Sequence, residues 1–448
     1  MARSGRGALI ALAAAAGLLA VLAFAPRAQH HASACAFLRT PMAYEAEQSR
    51  LTYLATIDAV SLNALFPGDL AFSLPAVEVG LRGARSSGLQ RVPSTLLKAI
   101  AWEESTLTMA SRATKFESIG SALVSFDCGY GVMQVTTGMT VALGASNLPS
   151  ADQVKIATHY GYNIARGASI LAEKWNAAPE TRPVVGTDTA ANPDLIENWY
   201  MATWSYNGFA GPGSFSSNHP SDPTFGAWPR EAYRCDGTQS RRRYPYQELI
   251  WGCMASPPTR DDALLWQPIA ASLPDLSQPR FFDPLSLANW VFPYSAMDLP
   301  TPSPVHLDVT PTLEPGIRER VLGVPRLQVD EQIVLIRLNG LQQDQFATVR
   351  LTNLGVGIVS WVARPEEAWI VTDPPGGVSL GLGVACPVPD CERPGELTLT
   401  VNPTLLQSTS SVGILRIVPV NGSSPTAIIR IEIDADFEVA APGTSRAD

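Results

Sequence analysis

Ser94-Thr95-Leu96-Leu97-Lys98-Ala99-Ile100-Ala101-Trp102-Glu103-Glu104-Ser105, followed further on by Gly129-Tyr130-Gly131-Val132-Met133-Gln134, decides how this chain is read. Leu97, Ile100 and Ala101 recur at helical spacing, and Pro93 or Ser94 suits the start of a helix. On a wheel of about 100° per residue, Glu104 falls within roughly 20° of Leu97, whereas Glu103 falls roughly 120° away. The apolar face therefore carries Glu104, and Glu103 is expected to be the solvated one. A carboxylate on an apolar face is costly to keep ionised, so burial is expected to raise the pKa of Glu104 towards what a general acid needs near neutral pH. In the second stretch the glycines let the backbone approach something closely, and an amide follows an apolar side chain.

Glu104-Ser105, then Gly131-Val132-Met133-Gln134, then Tyr206-Asn207-Gly208 follow one another on segments of helical pattern. In that order they resemble the three motifs of the SLT-type soluble lytic transglycosylases, whose fold the goose-type lysozymes share. The resemblance covers roughly residues 90 to 255. The segment from Thr106 to Cys128 is longer than the family's usual spacer, which bears on the groove wall beside the acid. The resemblance implies a mainly α lysozyme-like catalytic domain. It also implies peptidoglycan glycan strands as partner and substrate, cut at the β-1,4 bond between N-acetylmuramic acid and N-acetylglucosamine. It makes Glu104 the general acid and then the base that closes a 1,6-anhydro ring, with no cofactor. Ser105, Gln134, Tyr206 and Asn207 would position the acid and the sugar, and Met133 would line the groove. Two rivals remain. A hydrolytic muramidase on the same fold needs a second acid to place water, with Asp127 and Glu103 as candidates. A noncatalytic wall-binding protein would keep the groove and lose the acid.

The 448 residues leave room for two or three domains with real cores. A formal charge of −9 without a dense Lys/Arg run argues against a nucleic-acid partner. Arg241 to Arg243 is the only basic cluster, read as a solvated turn or an anion site. With 5 His and no ligand-like spacing, a metal site has little support.

Residues 1–34 read as a signal peptide or, uncut, a membrane anchor: Arg3 and Arg6 precede an apolar run from Ala8 to Ala25. The expected location is the cell envelope or beyond it. Six Cys suit an oxidising compartment. Local pairing of Cys386 with Cys391 and of Cys235 with Cys253 is the simplest arrangement. Cys35 is then left as a structural or lipid-bearing residue and Cys128 as a structural or free thiol.

Around the motifs, residues 42–255 form the catalytic unit with an N-terminal helical cap. Ala157, Tyr160, Ile164, Ala168, Leu171 and Trp175 make one amphipathic stripe, and Leu195, Trp199, Ala202 and Tyr206 make another. Residues 256–325 are a Pro-rich linker expected to dock in part, since Trp266, Phe281, Phe282, Trp290 and Phe292 are too many aromatics for a solvated tether. From residue 326 to 438, short β-branched runs separated by turns argue an all-β immunoglobulin-like sandwich, expected to fold as a separate unit, and 439–448 form a tail. Leu351 to Gly355 with Trp361 and Trp369 resembles the BACON modules. Both Trp are read as core residues, and the partner of this β domain is unknown.

Overall fold

The computed structural model describes residues 33–142, 148–209, 217–276, 297–338, 346–386, 395–408 and 410–435. Most of the leader segment, Phe281, Phe282, Trp290, Phe292, Cys391 and the tail lie outside these residues. The helices are α1 (Leu51–Ser61), α2 (Ser94–Ser105), α3 (Ala151–Thr158), α4 (Tyr160–Thr181), α5 (Tyr200–Tyr206), α6 (Tyr246–Ala255) and α7 (Ile317–Leu322). Between them run short strands: β1 (Ser33–Cys35), β2 (Met42–Glu45), β3 (Glu78–Val79), β4 (Ser86–Ser87), β5 (Ser118–Ser121), β6 (Thr140–Ala142), β7 (Thr259–Arg260) and β8 (Ala263–Leu264). They pair as β1 with β6, β2 with β5, β3 with β4 and β7 with β8.

The expected mainly α catalytic domain is therefore corrected to a mixed one. Its described helices pack on one another, α1 and α5 against α4 and α2 against α6, with the two-stranded sheets β1-β6, β2-β5 and β3-β4 beside them. The residues after Thr106, expected only as an inserted wall, supply β5, which pairs with β2 through Met42↔Ser121 and Glu45↔Ser118. Short strands with few apolar positions leave little periodicity to read, so helix was the visible signal.

The helices form for legible reasons. Helix α3 opens with a full capping box between Ser150 and Gln153. Helix α4 buries Ile164, Ala168, Leu171 and Trp175 on one stripe. Helix α2 has no cap of its own at Pro93; the carboxylate of Asp308 accepts from the N–H groups of Ser94 and Thr95 instead. This placement suits the positive end of the helix dipole.

Asp308 belongs to the Pro-rich stretch, which is a strap and not a tether. Asp298 accepts two bonds of 2.9 Å from Arg82, and Leu299 bridges to Val185. Buried Glu197 accepts the N–H of His306 at 3.0 Å and of Ser272 at 3.1 Å. Trp266, Ile269, Ile317 and Val321 join the core of the catalytic unit.

The C-terminal strands are β9 (Leu327–Val329), β10 (Ile333–Leu338), β11 (Phe346–Asn353), β12 (Ile358–Pro365), β13 (Ile370–Asp373), β14 (Gly376–Leu380), β15 (Gly395–Val401), β16 (Ser410–Pro419) and β17 (Ala427–Ala435). They make sheets ordered β10-β17-β16-β12-β14 and β13-β15-β11-β9. Strand β10 is parallel to β17, and the other pairs are antiparallel. Val334, Ile336, Leu351, Val359, Trp361, Leu399, Ile417 and Ile431 fill the space between the sheets. Trp361 and Trp369 are both buried core residues.

Separateness does not follow. Strand β12 is buried on both faces: Val359, Trp361 and Ala363 point into the sandwich, while Ile358 and Val362 join the catalytic unit's core. Thr158 at the end of α3 donates to the hydroxyl of Ser360 at 2.9 Å, and Arg364 reaches the Pro149 carbonyl at 3.1 Å. At β12 the outer face of this sheet is thus an interface, whereas at β10 it is solvated, with Ile333 and Leu335 exposed.

Candidate functional site

Helix α2 carries Glu103 and Glu104 in its last turn and stops at Thr106, which takes the left-handed conformation at φ 59. Ser105 is buried at 3% exposure. Its hydroxyl donates to the Val132 carbonyl at 2.7 Å and accepts from the Thr108 N–H at 3.0 Å. Through it the helix end is joined to the glycine-rich turn.

That turn is built around Gly131, whose φ is 65. A Cβ there would sit 2.6 Å from the Met109 sulfur and 2.7 Å from Asn163 Nδ2, so neither backbone nor space admits another residue. Asn163 of α4 holds the turn: Oδ1 accepts from the Met133 N–H at 2.9 Å, and Nδ2 donates to the Tyr130 carbonyl at 2.7 Å. Met133, expected in the groove lining, is 0% exposed and packs beneath Gly167, which has no Cβ to displace it. The turn exposes Gln134 instead, with its amide donating to the Gly131 carbonyl at 2.9 Å.

Tyr206 closes α5 and donates to the Met133 carbonyl at 2.8 Å. Asn207 follows, exposed, and accepts from Asn218 at 3.0 Å. Glu104, Gln134, Tyr206 and Asn207 together line an open groove of about 370 Å³, whose walls also include Asp127, Thr136, Thr137 and Lys174. Ser105 and Met133 stay behind this wall. A larger recess of about 560 Å³ lies between the catalytic unit and the sandwich, against Lys115, Ile119, Trp361 and Glu396. It lacks the buried carboxyl that makes the groove chemically distinctive.

The Glu104 carboxyl is half-buried and pushed up from 4.5 to about 7. Loss of solvent is the main cause; the charges of Glu103 and Asp127 add to it, while Tyr246 and Arg241 oppose it. The hydroxyl of Tyr246, on α6, donates to Glu104 Oε1 at 2.6 Å. With one oxygen so engaged, the other is left to carry the proton.

Glu103 is not the solvated member of the pair. It is 8% exposed, and Arg241 binds both its carboxylate and its carbonyl. Burial raises its pKa, and the Arg241 charge opposes this. Tyr246 was not legible as a site residue, since the run Tyr244-Pro245-Tyr246 marks a helix start and nothing more; Arg241 was read only as part of a solvated turn or an anion site, and the anion it binds is Glu103.

Cys35 is bonded to Cys128 with a Cα separation of 5.2 Å. This bridge ties β1 to the segment before the turn, meets the structural reading of Cys128 and takes up the Cys35 sulfur that a lipid would need. Cys235 pairs with Cys253. Cys386 is also disulfide-bonded. Among the described residues no cluster of three or more His, Cys, Asp or Glu is placed to hold a metal, and no helix is long and apolar enough to cross a membrane.

No family model matches the chain, and no curated protein matches it. Among solved structures, the periplasmic chaperone SfaE is similar at a TM-score of 0.19 and 11% identity, over 26% of this chain and 60% of that one. The E. coli chaperone DraB gives a TM-score of 0.20 at 11% identity, over 25% and 57%. The ASH / PapD-like domain 7 of human CEP192 gives 0.19 at 12% identity, over 31% and 98%. The chain spans less than two thirds of the length of either chaperone. None of these three neighbours is described as a lysozyme-like or transglycosylase structure. The family resemblance drawn from the three motifs is corrected, since no family model and no curated protein carries it, and the likeness to BACON modules is corrected with it. The immunoglobulin-like sandwich expected after residue 326 is seen in the two packed sheets of this chain itself. Three short motifs describe the ends of a few elements, and such ends recur on unrelated folds.

Proposed function

We propose that the chain is an exported enzyme that cleaves peptidoglycan glycan strands between N-acetylmuramic acid and N-acetylglucosamine, with Glu104 as proton donor. The observation that carries this reading is a carboxyl held at about 7 on the wall of an open groove. Amide and hydroxyl groups suited to sugar hydroxyls, on Gln134, Thr136, Thr137 and Asn207, surround it. Glu104 protonates the bridging oxygen as the bond from C1 breaks. The muramic acid C6 oxygen then closes on C1 and gives its proton back to Glu104, so no water is consumed. Tyr246 stabilises the carboxylate between the two transfers. The C6 hydroxyl arrives with the substrate, and its high effective concentration favours it over bulk water.

A second reading has its own observation. Asp127, which the sequence placed in the inserted wall, lines the same groove as Glu104. Its carboxylate accepts from Ser125, and a water activated there would give hydrolysis. Digestion of purified sacculi separates the two, because anhydro and reducing ends differ in mass by one water. Mainly anhydro ends support ring closure. Mainly reducing ends, lost in Asp127→Asn, establish hydrolysis, and intact sacculi overturn both readings.

The general acid must be protonated, so kcat/KM should fall as pH rises through about 7. Tyr246→Phe removes a hydrogen bond that favours the ionised form. The Glu104 pKa then rises further and the falling limb moves to higher pH, with a rate loss of about tenfold. A pH profile of the variant that coincides with the parent's would remove Tyr246 from this role.

A further inference from the structure

The groove holds a cation that the bond-breaking steps do not use. Lys174 of α4 is half-buried and lines the groove with Glu104. Among the described residues it has no hydrogen bond or ion pair. The carboxylates that could have served it are committed elsewhere. Its neighbour Glu173 is taken by Arg166 at 2.6 Å and by Ser169 at 3.2 Å. Asp127 accepts from Ser125, and Glu104 from Tyr246. Residues 143–147 and 210–216, which adjoin parts of the groove in sequence, contain no Asp or Glu.

A partly desolvated ammonium without a counter-ion is costly, and the cost is recovered when a ligand brings the opposite charge. A neutral polysaccharide would leave that cost in place, whereas a glycan bearing carboxylates would remove it. We propose that Lys174 is the specificity residue of the groove and binds a carboxylate carried by the glycan. Two sources share this chemistry: the lactyl carboxylate of a peptide-free muramic acid, and, where that carboxyl is amidated by a peptide, the carboxylates of the peptide itself. The inference rests on the groove being a glycan site. It goes beyond that reading by assigning the selection of charged over uncharged glycan to one side chain.

Binding is best measured in the Glu104→Gln background, where ligand is not consumed. Titration calorimetry would compare chitotetraose, a peptide-free tetrasaccharide of alternating N-acetylglucosamine and N-acetylmuramic acid, and the same tetrasaccharide carrying its peptides. Lys174→Met should weaken binding of at least one of the anionic ligands about tenfold and leave chitotetraose unchanged. Lys174→Arg should restore most of the difference, and added salt should reduce it. An effect on the peptide-free ligand assigns the lactyl carboxylate; an effect confined to the peptide-bearing ligand assigns the peptide. Equal weakening on chitotetraose, or no change on either anionic ligand, overturns the inference. Charge-selective binding by a protein whose parent leaves sacculi intact would uphold the site and remove the cleavage reading. Failure of every saccharide to bind removes both.

Discussion

Glu104→Gln should lower the rate of glycan cleavage by about 10² to 10⁴, and by more if the same group also takes back the proton. The amide keeps the shape of the carboxyl but has no proton to give the leaving oxygen. Glu103→Gln is the control, expected to stay within about tenfold of the parent, because that carboxylate is paired with Arg241 and not directed to the groove wall. A zymogram in which the Glu103 variant is inactive and the Glu104 variant clears the gel would reverse the assignment. The same substitution should stabilise the fold, and the sign depends on pH. The folded pKa of Glu104 lies above the unfolded value, so the ionised form is the one penalised in the native state. Relative stability is present at low pH and lost as pH rises from about 4.5 to about 7. Glu104→Gln removes that loss, worth about 1 to 3 kcal/mol after allowance for partial exposure. Its melting temperature should exceed the parent's at pH 8 and match it near pH 4. Equal melting temperatures at pH 8 would mean the carboxyl is not strained as described.

Arg50→Ala should cost about 3 to 5 kcal/mol, because it strands a buried carboxylate. Arg50 is 4% exposed and Glu45 1%. The guanidinium binds Glu45 Oε1 and stacks 4.8 Å from the Phe116 ring. Glu45 Oε2 accepts from the N–H groups of Met109 and Ala110, both at 2.9 Å. The pair therefore anchors the backbone that leaves the helix bearing Glu104, and its loss should reduce activity as well as stability. Burial already raises the Glu45 pKa, with the Arg50 charge opposing it. Without Arg50 the pKa rises further, so the destabilisation should be largest at pH 8 and shrink as pH falls and Glu45 protonates. The double variant Glu45→Gln/Arg50→Met should recover much of the loss, since it leaves no buried charge behind. Denaturant melts at two pH values check both points; a loss below about 1 kcal/mol at pH 8 would show that solvent reaches the pair.

Local spacing was enough for several features. The wheel's contrast of a buried Glu104 with a solvated Glu103 was not met, but the glycines marked a close backbone approach, found where Gly131 meets Met109 and Asn163, and period-2 runs such as Glu396 to Val401 marked strands. Each depends on neighbours within a few residues, where one element's geometry relates position to face. The fate of Glu103 could not be read this way, because the side chain that takes it out of water stands 138 positions along the chain. Tyr246 is likewise 142 positions from the carboxyl it binds. The mainly α expectation failed where short strands carry no repeat long enough to detect.

Proline composition marked residues 256–325 as poor in regular structure, and only the short elements β7, β8 and α7 are found among the described residues there. It could not distinguish a tether from a strap, since irregular backbone is satisfied equally by water or by Glu197, Asp298 and Asp308. The sandwich strands were legible, yet their docking was written only as an excess: Ile358 to Ala363 is apolar almost throughout, where a half-solvated strand would alternate. A sequence states which faces need covering. What covers them is decided by contacts between distant segments, which local periodicity does not encode.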